Sequence, residues 1–242
     1  MPRQTNPQLR SKIPAMSYVS INSDALNTIS QNIINYSPHP NQTQIIAVTK
    51  KFTYLSIINA LQHNIVCIGE NQVQEFHTKH QQLLAYNFES HLIGHLQSNK
   101  INKAIELFNV IETIDSFKLA LKIDKQLKKI NKTQNIYIQI NVGEDPNKYG
   151  FFIKDIFIQA EKISQLKNIN LLGVMTILPY LNNPKDTQKL YAKTRQVQQQ
   201  IYEKINNKCT QLSMGMSRDY VYALKEGATH IRLGTILYGQ RP

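Results

Sequence analysis

Eight short apolar runs alternate with helical stretches along this chain, and no shift in composition marks a linker. Its 242 residues are close to the length of one α/β barrel. Together these observations predict an α/β fold: a single (β/α)8 TIM barrel of parallel strands joined by crossover helices. An open doubly wound sheet shares the same alternation, and strand count alone does not exclude it.

Residues 1–16 are basic, free of acid, and carry neither an apolar h-region nor an amphipathic pattern. They are expected to form a mobile N-terminal tail ahead of a barrel at 17–242. Ser17–Ile34 has Val19, Ile21, Leu26, Ile29, Ile33 and Ile34 at helical spacing, which predicts an extra leading helix ended by the Pro38–Pro40 loop. Strands are predicted at Ile45–Thr49, Ile65–Ile68, His91–Ile93, Val110–Thr113, Asn135–Asn141, Ile169–Met175, Thr210–Met214 and Thr229–Leu233. Helices are predicted between them at Thr53–Gln62, Asn71–Tyr86, Gln97–Phe108, Ser116–Ile130, Ile153–Lys167, Pro184–Asn206 and Arg218–Lys225.

Composition removes several classes. A hydrophobic fraction of 41% supports a core and excludes a disordered chain. No apolar run reaches the ~18 residues that span a bilayer. Cys67 and Cys209 stand far apart with no metal spacing, and read as reduced thiols of a cytoplasmic protein. The chain has no GxGxxG and no GxxxxGK[ST], so neither dinucleotide nor P-loop chemistry is signalled. The net charge of +12 attracts nucleic acid or anionic small molecules. The lysines, however, are spread among many Asn, Gln and Ile, and only Lys128–Lys132 clusters them, at a helix end. A basic nucleic-acid-binding module is therefore the remote alternative.

In a barrel, chemistry gathers where the strands end. Strand one ends IIAVTKK, and its alternation puts Ile46, Val48 and Lys50 on one face and Ala47, Thr49 and Lys51 on the other. Lys50 is thus the inward lysine. After strand two comes GENQVQE, with Asn71; strand five carries Tyr137, Gln139 and Asn141 on the face opposite Ile136, Ile138 and Ile140. MGMSRD follows strand seven, with Met216 and Ser217. In HIRLGT, alternation turns Arg232 inward, where an arginine needs an anion or a strong acceptor, and acids look scarce. Ser217, Gly234 and Thr235 stand where barrels bind phosphate. Closure makes Lys50 and Arg232 neighbours. An aldehyde on Lys50, with its phosphate at Ser217, Gly234 and Thr235, would lay its ring across the mouth and turn its nitrogen to Arg232. These parts describe pyridoxal 5′-phosphate, PLP. Asn71 and Met216 complete the candidate cofactor-binding set.

The stretches IIAVTKKF, IGENQVQEF, HLIGHLQSNK, IETIDS, IYIQINVGEDPNKYGF, LLGVMTI, LSMGMSRDY and HIRLGTILYG occur in one order from Ile45 to Gly239. In these the chain resembles the pyridoxal phosphate homeostasis protein family, whose barrel is like the N-terminal domain of alanine racemase. The resemblance implies Lys50 as the PLP lysine, Ser217, Gly234 and Thr235 at the phosphate, and Arg232 near the pyridine nitrogen. It also implies a cytoplasmic, monomeric carrier or regulator of PLP (vitamin B6) supply without fast turnover, with PLP and PLP-dependent apo-enzymes as its partners. The racemase's second base, a tyrosine, comes from a C-terminal β domain that this family lacks. A slow racemase-like enzyme is the alternative. Two departures stand beside the site: Lys51 and Phe52 replace the usual small or prolyl residues, and MTILPY carries its proline one place late.

Other candidates read as structure. His77 and His80 lie on a solvated helix face, and no metal site is expected. His91 is expected to be packed or hydrogen-bonded, and Asp115 and Ser116 to cap the next helix. Met175, Met214 and Met216 are expected to line the barrel mouth.

Overall fold

The computed structural model describes residues 19–240. Its strands are β1 (Gln44–Val48), β2 (Cys67–Glu70), β3 (Glu89–Leu92), β4 (Val110–Ile114), β5 (Gln134–Ile140), β6 (Ile169–Thr176), β7 (Gln211–Met216) and β8 (His230–Leu233). All neighbours are parallel, and β8 pairs back onto β1 with Ile46 opposite Arg232. That last pairing closes the barrel and removes the doubly wound alternative.

The helices are α1 (Ser23–Tyr36), α2 (Tyr54–Gln62), α3 (Val73–His80), α4 (Ile101–Leu107), α5 (Phe117–Lys129), α6 (Ile153–Ser164), α7 (Pro184–Lys204), α8 (Tyr220–Lys225) and α9 (Thr235–Tyr238). Local chemistry starts several of them. Asn22 Oδ1 accepts from Ala25 N–H at 3.0 Å, Ser116 Oγ accepts from Leu119 N–H at 3.3 Å, and Asn183 caps α7 with Pro184 behind it. Asp115, expected to share the capping of α5, instead pairs with His95 Nδ1 at 3.0 Å.

Period two sorts each strand into an inner and an outer face. Ile136, Ile138 and Ile140 join the apolar layer under the helices, while Tyr137 packs inside the barrel with Val110 and Met175. Higher up, Gln139 donates to the Tyr149 carbonyl at 3.1 Å, and Asn141 donates to Asp145 O at 2.6 Å. The polar face of β5 thus shapes the loop above it.

Several boundaries differ from expectation. The tail at 1–16 lies outside the described residues, as does Ser17; α1 starts at Ser23, and Ile21 packs ahead of it. β2 lies two residues further on because it ends on a buried acid, Glu70, which apolar patterning does not detect. The stretch predicted as one helix from Asn71 divides into α3 and a 3-10 turn at Gln81–Leu83. Met214, expected at the mouth, faces the helix layer, because the inward position on β7 belongs to Ser213 and the β7/β8 register then shifts before Met216.

Candidate functional site

β1 ends at Val48, and the chain turns through Thr49, Lys50 and Lys51 toward α2. Val48 and Lys50 both face the cavity at the C-terminal mouth, whereas Lys51 turns away at φ 65°. The turn is fastened on both sides of Lys50. Thr49 donates from Oγ1 to Glu70 at 2.6 Å, and the Lys51 N–H donates to Glu75 at 2.5 Å. Lys79, a buried cation on α3, lies 2.7 Å from both acids. Burial pushes the Glu70 carboxyl above its usual range, against the opposing pull of Lys79 and Thr49. Its Oε2 has no hydrogen-bond partner, which agrees with that direction.

Lys50 Nζ reaches Asn71 Oδ1 at 3.3 Å. Asn71 is set in place by Gly94: a Cβ there would stand 2.0 Å from the Asn71 carbonyl oxygen, so only glycine lets the two loops meet.

On the other side, Arg232 is 3% exposed. Its guanidinium donates to Ser213 Oγ and to the Thr176 carbonyl, both at 2.7 Å. Ser213 Oγ donates in turn to Glu112 Oε2 at 2.6 Å, and His91 Nδ1 lies 2.7 Å from Glu112 Oε1. Burial alone would raise the Glu112 carboxyl, but His91, Arg232 and Ser213 outweigh it and hold it below the usual range. The expectation that acids are scarce around Arg232 is thus corrected. An acid from β4 lies one hydroxyl away, hidden in the run VIETI.

The phosphate candidates come from two adjacent loops. Met216 N–H donates to the Asp219 carboxylate at 2.7 Å, closing the turn that presents Ser217. Ser217 Oγ accepts from Ile236 N–H at 3.3 Å, which ties it to the start of α9 beside Gly234 and Thr235. Across the mouth, the Arg218 guanidinium lies 5.6 Å from the ring centre of Tyr180.

Lys50, Asn71, Met216, Ser217, Arg232, Gly234 and Thr235 all line one cavity of about 590 Å3. The expected set is therefore gathered at one place. Glu112, Ser213, Thr176 and Lys79 were not among the sequence candidates, although they position two of its members. Lys50, Arg218 and Arg232 bring positive charge to a cavity otherwise lined mainly by apolar side chains, which suits a flat anionic ligand presenting a carbonyl to Lys50.

The alanine racemase N-terminal domain family matches residues 21–242. The pyridoxal phosphate homeostasis protein of Synechocystis is 36% identical over 203 residues, covering 84% of this chain and 93% of that protein. Its Aquifex aeolicus counterpart is 39% identical over 173 residues, or 72% and 76% of the two chains. PipY of Synechococcus elongatus, solved without PLP, superposes with a TM-score of 0.82 at 33% identity over 90% of this chain and 99% of that one. The same protein with PLP bound gives 0.80 at 32% over the same shares. An alanine racemase of Clostridium difficile shares the fold at a TM-score of 0.71, with 17% identity over 96% of this chain and 64% of that one. The chain belongs to the alanine racemase N-terminal domain family and, within it, to the pyridoxal phosphate homeostasis proteins.

Proposed function

We propose that this protein binds PLP at the C-terminal mouth of its barrel, held as a Schiff base on Lys50, and takes part in PLP homeostasis without fast turnover. The observation that carries the reading is the meeting of Lys50, Arg232 and the Ser217–Gly234–Thr235 loops at one cavity. The residues fit the ligand. A space of about 590 Å3 is within the usual range for small-molecule sites. Gly234 and Thr235 line the cavity beside Ser217, whose hydroxyl is tied to the start of α9. PipY, similar throughout its length, has been solved with PLP bound. When bound, PLP supplies an electrophilic aldehyde and a conjugated ring able to accept electrons.

The chain's own residues limit that chemistry. Asn71 accepts from Lys50 and orients its amine toward the mouth. Arg232 cannot give up a proton, and Ser213 and Thr176 fix its direction, so a pyridine nitrogen held against it would meet a donor and stay unprotonated. A ring in that state is a weak electron sink, which supports retention of PLP over rapid turnover. The free buried thiols Cys67 and Cys209 fit the reducing cytoplasm.

Incubation with PLP followed by borohydride and peptide mass analysis tests the assignment. Label on Lys50, lost in Lys50→Ala, is expected. Label elsewhere, or none, would sink the proposal. Exchange of amino-acid α-protons into D2O at several per second would replace the carrier reading with a racemase-like one.

A further inference from the structure

The N-terminal end of the barrel, opposite the mouth, holds a second constellation. Cys67 opens β2 and Glu89 opens β3, and the register places the two side by side. His91 follows two residues along β3 and therefore shares the inward face with Glu89. One ligand atom from each of the three lies within 4.8 Å of the other two.

The histidine makes this more than a cluster. Its Nδ1 lies 2.7 Å from Glu112, a carboxylate that also accepts from Ser213, so the ring proton sits on Nδ1. The lone pair is then on Nε2, which faces Glu89 Oε1 at 3.8 Å and has no hydrogen-bond partner although the ring is 1% exposed. A buried acceptor with no donor is uncommon in folded proteins and asks for a missing partner. An imidazole held by a carboxylate on one nitrogen and bare on the other is the arrangement in which histidine ligates metal.

We infer that Cys67, Glu89 and His91 form a site for one thiophilic divalent cation of the zinc class. Tetrahedral zinc, with bonds of about 2.0–2.3 Å, holds its ligand atoms about 3.3–3.8 Å apart. Glu89 Oε1 lies 3.8 Å from His91 Nε2, Glu89 Oε2 lies 4.0 Å from Cys67 Sγ, and the three ligand atoms all lie within 4.8 Å of one another, so a contraction of about 1 Å completes the site. Gln44 Oε1, 2.8 Å from Cys67 Sγ, or a water supplies the fourth position. As the S–metal bond forms, the thiol proton leaves to solvent; thiolate and carboxylate then balance the 2+ charge. The mixed S, N and O donors favour zinc over magnesium or calcium. Glu89 is 42% exposed at its side chain, which gives the cation a path from bulk solvent.

Zinc chloride added to the metal-free full-length protein, followed by dialysis and elemental analysis, should leave one zinc per chain. Cys67→Ser and Glu89→Gln should each weaken binding at least tenfold. The second change is at a partly exposed side chain, so it remains informative if the first perturbs the core. With cobalt in place of zinc, the wild-type protein should show a thiolate-to-cobalt charge-transfer band that Cys67→Ser abolishes. Lys50→Ala should bind zinc like the wild type. Failure to retain zinc, retention undiminished in both Cys67→Ser and Glu89→Gln, or a cobalt spectrum without the thiolate band would overturn the assignment.

Discussion

Lys79 Nζ lies 2.9 Å from the main-chain carbonyl oxygen of Thr49, so a buried ammonium on α3 holds the peptide that precedes Lys50. The same ammonium sits between Glu70 and Glu75, and Glu75 also holds the Lys51 N–H in its left-handed turn. Lys79→Met removes the cation from two acids, one of them fully buried. Urea unfolding should show a loss of about 3–5 kcal/mol. Adding Glu70→Gln to that variant should recover part of it. A Lys79→Met protein as stable as the wild type would show that the clamp contributes nothing.

Gly94 governs the reach of Asn71 toward Lys50. A methyl at this position would overlap the Asn71 carbonyl oxygen, which is backbone and has little freedom to move. Gly94→Ala should lower stability by about 1–3 kcal/mol and slow the borohydride-trapped labelling of Lys50. Labelling at the wild-type rate would separate Asn71 from the lysine's function.

Glu112 and Arg232 are coupled through Ser213. Glu112→Gln keeps the shape but removes the charge facing His91 and Arg232, and should cost about 3–5 kcal/mol. In a double-mutant cycle with Arg232→Gln, the two losses should fall short of additivity by about 1 kcal/mol or more. Strict additivity in denaturant melts would break the proposed link.

His230 gives the fold a pH dependence. Burial above all lowers its pKa to about 4, with Arg232 adding to the effect and Glu112 opposing it. An unfolded histidine titrates near 6.5. Between those values the unfolded chain binds the extra proton, so stability falls as pH drops from about 6.5 to 4 and is fully present above that window. The loss from this group is on the order of 3 kcal/mol. Glu70, raised by burial, contributes with the opposite sign, so the readout is a difference. Melts of the wild type should steepen toward low pH relative to His230→Gln; parallel pH profiles would refute the assignment.

Much of this arrangement was legible in the chain. Alternation turned Arg232 inward, because a strand's side chains change face at every residue; it also picked Lys50 over Lys51, although in the structure the two lie past the end of β1 and the left-handed turn at Lys51 separates them. Closing the barrel then gathered Ser217, Gly234 and Thr235. What stayed hidden depends on partners far away in sequence. Glu112 sits in an apolar run that reads as plain strand, and its hydroxyl partner Ser213 is 101 residues away. Lys79 lies in a polar helix and reads as a surface residue, yet it is buried against Glu70. Cys67, Glu89 and His91 come from two strands, so no spacing marked them, and metal was not expected. α9, at four residues, is too short for a period to show.

The chain of contacts from His91 through Glu112 and Ser213 to Arg232 also bears on assembly. It draws on β3, β4, β7 and β8, two strands from each half of the barrel. A nascent chain that has made only β1–β4 can pair His91 with Glu112, but the second carboxylate oxygen has no donor until Ser213 arrives on β7. The two halves are therefore poor independent folding units, and ring closure is the event that satisfies both. The same polar column that steadies the cavity-lining arginine ties the two halves of the barrel together.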